Sequence, residues 1–241
     1  MKGNEMFTGV VFRLGPLEVT GTVVTTWVIV ALLGLGAWLI TRRLQTDRPG
    51  RIQTLAEGII SAAEAAIRAV APDHVRLLLP FITTLWIFIV IANLVGLIPG
   101  LHSPTRDLSA TSALALLVFF SVHWFGIRDQ GLKNYLRHYL SPTPLMLPFH
   151  IISEISRTIA LAVRLFGNIL SLETAALLIL IVAGFLAPIP ILMLHIIEAL
   201  VQAYIFGMLA LIYVAGGLQS QQLRQQLGQT QTDNNKENSG E

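Results

Sequence analysis

Long uncharged apolar stretches set the pattern of this chain. Each stretch reaches or exceeds the ~20 residues that a helix needs to cross a hydrocarbon layer of ~30 Å. Apolar and polar side chains do not alternate within them, which argues against a transmembrane barrel. We therefore expect an all-α membrane protein with five transmembrane helices. The predicted helices cover about 20–41, 77–99, 108–127, 149–187 and 189–218.

Two flanking segments and one amphipathic helix complete the predicted architecture. Residues 1–19 are mixed in character and are expected to lie outside the bilayer, and residues 20–218 form a single membrane domain. Residues 219–241 form a Gln- and Asn-rich tail that is expected to be disordered and cytoplasmic. Residues 52–70 place their apolar side chains on one helical stripe. This stripe favours a helix lying in the membrane interface, with a linker helix packed against the bundle as the alternative.

The last two predicted helices form a hairpin. Pro188 and Pro190 cannot continue a helix, so the chain is expected to turn there. The segment from Thr158 to Ala187 holds 30 residues. As a helix it would be about 45 Å long, and it fits a layer of ~30 Å only if it leans by roughly 45–50°. The sequence therefore predicts a long, strongly tilted helical hairpin.

Basic side chains are distributed unevenly between the two sides of the predicted helices. Eleven Lys and Arg residues fall in the segments 42–76, 128–148 and 219–241, and three fall on the opposite side. Because Lys- and Arg-rich loops stay in the cytoplasm, these segments are expected to be cytoplasmic and the N-terminus external. We place the chain in a bacterial cytoplasmic (inner) membrane.

Composition excludes several classes of function. Charged residues make up 12% of the chain and the formal net charge is +2. There is no basic run with interleaved aromatics, so nucleic acid is not expected as a partner. The absence of cysteine excludes disulfides and thiolate metal sites. The sequence holds no phosphate-binding loop, metal-ligand spacing or nucleophile–base pair, so no catalytic residue, metal or cofactor is expected.

Three charged residues fall inside the hairpin, namely Arg164, Glu173 and Glu198. A central Arg, Lys or Asp costs at least ~2.5–3.5 kcal/mol on insertion scales, and such residues normally face a partner, a cavity or an ion pathway. At the helical period, Glu173 points away from the face of Arg164, and ~13 Å separates the two along the axis. They are therefore not expected to form an ion pair.

Polar residues accompany these charges on both helices. Asn168 falls on the face of Arg164, one turn later. On the final helix, His195, Glu198 and Gln202 form one stripe. We treat all of them as candidates for an ion pathway.

Each candidate also has a structural interpretation. Arg164 could form a salt bridge with Glu198 that holds the hairpin together, although a permanently charged guanidinium is a costly way to join apolar helices. Glu173 and His195 could line a water-filled channel as an ion relay, or they could join helices by hydrogen bonds.

Polar residues outside the hairpin are expected to have structural roles. Asn93 is expected to form a hydrogen bond across helices. His102 and Asp107 are expected to lie in water at a mouth of the domain, and His123 near the interface.

The hairpin carries two runs that resemble a known family. The run ISRTIALAVRLFGN at residues 155–168 closely resembles a signature of subunit a of rotary F-type ATP synthases, and QAYIF at 202–206 resembles the second signature. Weaker matches lie at residues 92–100 and after residue 107. The resemblance covers about residues 20–218, and its RLFGN run within a membrane helix is highly specific.

The resemblance implies a stator that passes H⁺ or Na⁺ to and from a rotating ring of c subunits, each with one carboxylate in mid-membrane. In that family two aqueous half-channels reach the ring from opposite sides, and the arginine that matches Arg164 separates them. The implied partners are the c ring, the peripheral-stalk b subunits, the remainder of the ATP synthase and the lipid bilayer. ATP chemistry would belong to other chains of that complex.

The resemblance also assigns roles to the other candidates. Asn168 and Gln202 match polar neighbours of the essential arginine. Glu173 and His195 match ion-transfer groups of one branch of the family. Glu198 departs from the family pattern and is an additional candidate carboxylate of the pathway.

Two other functions compete with this interpretation. A secondary transporter or channel with an intramembrane charged pathway is the main alternative; an inverted repeat would favour it, and the charged hairpin occurs once. A membrane subunit without a transport role would pair its charges internally, whereas Arg164 and Glu173 diverge.

Overall fold

The computed structural model describes residues 10–14, 17–42, 44, 50–98, 101, 103–131, 147–183 and 189–238. Helices make up nearly all of this part of the chain, and five of them are long and apolar enough to cross a membrane. The protein is thus an all-α membrane protein, as the sequence predicted. The described helices are α1 (Gly21–Arg42), α2 (Arg51–Val70), α3 (Val75–Val95), α4 (Leu108–Gln130), α5 (Leu147–Ala183) and α6 (Ile189–Asn238).

A short β-hairpin that the sequence did not predict precedes α1. Its strands are β1 (Val10–Leu14) and β2 (Leu17–Thr20), which pair antiparallel with Arg13 in register with Glu18. Both strands are rich in the β-branched and apolar residues that favour extended structure. A Gly-Pro pair of typical turn residues lies between them. The external location of residues 1–19 stays a prediction.

Helix α2 packs against the bundle at its C-terminal half. Ala63 and Ile67 are buried, whereas Ile52 and Leu55 at the other end are exposed. One apolar stripe thus serves as a packing surface at one end and is open at the other. This combines features of both interpretations of the sequence, and the interfacial location of α2 stays a prediction.

Helix α3 ends at Val95, about one turn before the predicted end at residue 99. The apolar run continues to Leu101, so hydropathy alone puts the helix end too late. The chain leaves the helix through tight turns instead, in which the N–H of Leu97 donates to the C=O of Leu94 at 3.0 Å.

A 3₁₀ turn at Pro104–Arg106 leads from α3 into α4. Asp107 is the N-cap of α4, because its Oδ1 accepts a hydrogen bond from the N–H of Ser109 at 2.9 Å. This connection packs against α5, which matters for the site described below.

Helices α5 and α6, the predicted hairpin, pack against each other and on α3 and α4. Helix α5 has 37 residues, which corresponds to about 55 Å. The predicted turn falls on residues 184–188, outside the described residues, and the strong tilt stays a prediction. The helices enclose a core of fully buried apolar side chains, among them Leu78, Ile82, Ile89, Leu161, Leu165, Phe206 and Leu211.

Helix α6 extends well beyond the last predicted span. The sequence predicted disorder from residue 219, whereas the backbone is helical to Asn238. The Gln, Leu and Arg residues of this segment are good helix formers, and adding residues to an existing helix avoids the unfavourable nucleation step. The low hydrophobicity of this segment therefore accompanies a polar helix instead of the disorder that the sequence predicted.

Candidate functional site

Arg164 lies on the exposed side of α5. Its neighbours Leu161 and Leu165 are buried in the core, whereas Val163 and Arg164 itself are exposed. Among the residues that the structure describes, the Arg164 guanidinium makes no hydrogen bond and no ion pair. Glu198 is half-buried on α6 and forms no ion pair with Arg164, so the structural alternative of a salt bridge between them is not observed.

A hydrogen bond joins the two hairpin helices one turn after Arg164. Asn168 Nδ2 donates to Gln202 Oε1 at 2.7 Å. Gln202 is buried, and its Nε2 has no hydrogen-bond partner within the described ranges. Two turns before Arg164, the guanidinium of Arg157 lies 5.4 Å from the ring centre of Tyr213, a cation–π contact between the same helices.

His195 occupies a buried position on α6, two turns before Gln202. The side chain is 2% exposed, and its Nε2 has no hydrogen-bond partner in the part of the chain described here. Buried polar atoms are normally hydrogen-bonded, so His195 and Gln202 both retain unused polar atoms inside the protein. The sequence placed both residues on one stripe of α6, and both are indeed buried.

Glu173 lies on another side of α5 and is held by the α3–α4 connection. The carboxylate is 9% exposed, and its Oε2 lies 3.0 Å from Arg106 Nη1, while its Oε1 accepts from the N–H of Ser103 at 3.4 Å. A Cβ at Gly96 would come within 2.8 Å of Oε1, so a side chain there would displace the carboxylate from its present position. Arg164 and Glu173 therefore face different surroundings, as the helical period predicted.

Hydrogen bonds continue from this carboxylate toward α6. Ser103 Oγ donates to the C=O of Ala92 at 2.8 Å and lies 2.5 Å from Thr105 Oγ1. Thr105 Oγ1 donates to Asn93 Oδ1 at 2.7 Å, and Asn93 Nδ2 donates to the C=O of Ala199 at 3.4 Å. Asn93 thus bonds across helices, as the sequence predicted.

We call residues 103–106 the strap, because they bond to Glu173 of α5 and to Ala92 and Asn93 of α3, and Asn93 bonds in turn to α6. Sequence reasoning missed the strap as part of the site. In the sequence analysis, Arg106 is only one of the three basic residues on the predicted external side. Asp107, which is expected in water, is the N-cap of α4. The Arg106–Glu173 contact spans 67 positions, so it depends on how the connection folds over α5. The sole signal in the sequence was a basic residue in a short connection between membrane helices.

His123 lies between α4 and α5, where it contacts Glu154. Its Nε2 is 3.3 Å from Glu154 Oε2, and its Nδ1 is 2.9 Å from the C=O of Phe119. Both side chains are about a quarter exposed, and the position of His123 near an interface stays a prediction. His102 lies outside the described residues.

The two sides of α5 suit different chemistry. The exposed guanidinium can attract an acidic group from outside the chain, because it remains charged in any surroundings. The buried carboxylate can exchange a proton or bind a cation, because its two oxygens can accept a proton or coordinate a positive ion. Within the described residues, no group of three or more His, Cys, Asp or Glu could hold a metal ion.

Comparison with known proteins agrees with this geometry. Residues 23–215 match the family model described as ATP synthase A chain. The chain is 65% identical over 217 residues to ATP synthase subunit a 2 of Pelobacter propionicus, covering 90% of this chain and 95% of that protein. It is 59% identical over 215 residues to ATP synthase subunit a of Legionella pneumophila strain Corby, covering 89% and 94%. It is 64% identical over 212 residues to ATP synthase subunit a 1 of Hahella chejuensis, covering 88% and 90%. The chain belongs to the ATP synthase A chain family.

Proposed function

We propose that this chain is the ion-channel stator of a rotary ATP synthase. It carries H⁺ or Na⁺ through two half-channels to and from the carboxylates of a c ring, and Arg164 separates the half-channels. The chain is an integral membrane subunit that is not catalytic alone. The peripheral-stalk b subunits and the remainder of the ATP synthase complete its set of partners.

The exposed, unpaired guanidinium of Arg164 carries this proposal. A charge that faces outward from a membrane helix is tolerated where a partner of opposite charge meets it. The described part of the chain supplies no such partner, which supports a partner on another chain. A carboxylate approaching a permanent cation is favoured in its ionised form and therefore releases its proton or metal cation.

The surface around Arg164 fits a neighbouring helical protein. On α5, Ile159 and Val163 are exposed, and on α6, Ile197 and Val201 are exposed. An apolar surface that carries the Arg164 guanidinium complements a ring of apolar helices in which each subunit carries one acid. The same guanidinium repels a cation that would cross directly from one half-channel to the other.

The remaining candidates form the pathway on either side of Arg164. Asn168 and Gln202 position polar groups beside the arginine through their mutual hydrogen bond. Glu173 and His195 are the ion-transfer groups of one half-channel, which is supported by their burial. Glu198 is an additional pathway carboxylate.

The distribution of basic residues supports the orientation. The N-terminus is external, the C-terminus is cytoplasmic, and the membrane is the bacterial cytoplasmic membrane. The strap then lies on the external side, so Glu173 belongs to the external half-channel. Helix α2 lies in the cytoplasmic interface with its exposed apolar end in lipid, and the hairpin is strongly tilted.

Replacement of Arg164 tests the proposal. In the complete ATP synthase reconstituted into vesicles, Arg164→Ala should abolish ATP-driven ion pumping while assembly stays intact, because no fixed cation remains to separate the half-channels. Pumping is measured with a voltage-sensitive dye, which responds to either cation.

The matched control is Arg68→Ala, which removes one arginine from an exposed pair with Glu64 on α2 and should leave pumping near the wild-type rate. Wild-type coupling in the Arg164→Ala complex would refute the proposal. Ion transport by the purified chain without its partners would favour a secondary transporter instead.

A further inference from the structure

In the Arg106–Glu173 pair, the carboxylate is buried and the guanidinium is partly exposed. Glu173 is 9% exposed, whereas Arg106 is 31% exposed. The carboxylate is therefore fixed inside the protein, and the guanidinium reaches it from the side open to the surroundings. Any cation that approaches Glu173 from that side meets the guanidinium first.

The carboxylate sits in a close-fitting place. The N–H of Ser103 donates to Oε1 of Glu173. Gly96 has no side chain and therefore leaves space for this oxygen. Glu173 is thus held ready to bind a positive ion while a positive side chain already occupies one of its oxygens.

The backbone that carries Arg106 is firmly held, whereas its side chain is partly exposed. The N–H of Arg106 donates to the C=O of Ser103 at 3.1 Å, and Thr105 and Ser103 are buried in their hydrogen bonds with α3. An arginine side chain has several rotatable bonds, so the guanidinium can leave Glu173 without any movement of the strap.

We propose that Arg106 is a positioning residue of the ion pathway, which occupies the Glu173 carboxylate and closes the access to it until an incoming cation displaces the guanidinium. This inference rests on the proposed function, in which Glu173 transfers ions. Arg106 then competes with the transported ion for one carboxylate. A static salt bridge that merely joins the strap to α5 is the competing explanation.

The two explanations differ in how transport depends on cation concentration. When a site is available for only a fraction of the time, its apparent dissociation constant rises by the inverse of that fraction. Removal of the competing guanidinium should therefore lower the external cation concentration that gives half-maximal ATP synthesis. A static salt bridge affects assembly or the maximal rate and leaves this concentration unchanged.

The experiment uses the complete ATP synthase in vesicles, with synthesis driven by a potassium diffusion potential. The rate is titrated with H⁺ at fixed Na⁺ and with Na⁺ at fixed pH, on the side from which synthesis draws the ion. We expect Arg106→Gln to lower the half-saturating concentration of the cation on which the rate depends by about two- to fivefold, the range expected for a partly exposed ion pair. The maximal rate should change much less.

Three variants separate the positioning role from a structural one. Arg106→Lys keeps the charge but loses the planar fork of donors, so its half-saturating concentration should fall between those of Arg106→Gln and the wild type. In a Glu173→Gln background, Arg106→Gln should have no further effect on this concentration, since the two residues act as a unit. Arg68→Gln, which breaks the exposed pair on α2, should match the wild type.

An unchanged half-saturating concentration in Arg106→Gln, or an equal fall in the Glu173→Gln background, would overturn the inference. If Arg106→Gln fails to assemble, Arg106→Lys is measured in its place. A wild-type half-saturating concentration in Arg106→Lys would also overturn the inference. Arg164→Ala is measured in parallel. Coupled synthesis in Arg164→Ala overturns the proposed function itself, whereas loss of coupling there with no shift in Arg106→Gln overturns only the role of Arg106.

Discussion

Gly207 of α6 lies directly against Trp86 of α3. A Cβ built at Gly207 would lie 1.6 Å from Trp86 Nε1 and 1.9 Å from Trp86 Cδ1. The indole cannot easily turn aside, because it is stacked on Tyr204 with ring centres 6.0 Å apart. The substitution Gly207→Ala should therefore destabilise the packing of α6 on α3.

The size of the effect follows from the distances. Carbon atoms in contact prefer about 3.5–4.0 Å, so the indole or the helix must move by roughly 2 Å. Overpacking of this kind costs about 1–3 kcal/mol, and Ala in place of Gly within a helix returns about 0.5–1 kcal/mol. The net loss should be about 1–2 kcal/mol, which lowers the melting temperature of a chain of this size by roughly 2–8 °C.

Thermal unfolding of the purified complex in detergent measures this loss. Gly216→Ala is the matched control, since Gly216 lies on the same helix with nothing within 4 Å of its added Cβ, and it should be neutral or slightly stabilising. In a Trp86→Leu background the clash is absent, so Gly207→Ala should no longer destabilise. A wild-type melting temperature for Gly207→Ala alone would refute the reasoning.

Three further substitutions probe the pathway and the strap. Glu173→Gln and His195→Ala should each slow ATP-driven pumping without abolishing it, because they remove transfer groups and leave the separating Arg164 in place; a loss as complete as that of Arg164→Ala would contradict this. Thr105→Val should destabilise the complex by about 1–2 kcal/mol, since it leaves a buried amide oxygen without its donor. Thr84→Val is its control, because the Thr84 hydroxyl is exposed and bonds only within its own helix, and equal melting temperatures for the two variants would contradict the prediction.

The helical period accounts for what the sequence predicted well. Side-chain directions repeat every 3.6 residues, so the divergence of Arg164 and Glu173 follows from their separation of nine positions. The same arithmetic put His195 and Gln202 on one stripe, and both are buried. Such inferences need no knowledge of the neighbouring helices.

Features that depend on distant parts of the chain were missed. The partner of Glu173 is Arg106, and no periodicity relates two residues on different elements. The end of α3 was placed too late because apolar residues continue through the turn that follows it. The sequence predicts disorder after residue 218, whereas the backbone there is helical to Asn238. A lack of apolar residues excludes a buried core, but it does not exclude a helix that continues from an existing one.

The strap has a mechanical consequence for a stator. It bonds to Glu173 of α5 and to Asn93 of α3, and Asn93 bonds in turn to α6, so the strap braces α5 against α3 about 13 Å along the helix from Arg164. Under the proposed function, a turning ring would exert a sideways force on the exposed face of α5. The brace would then oppose movement of α5 with the ring.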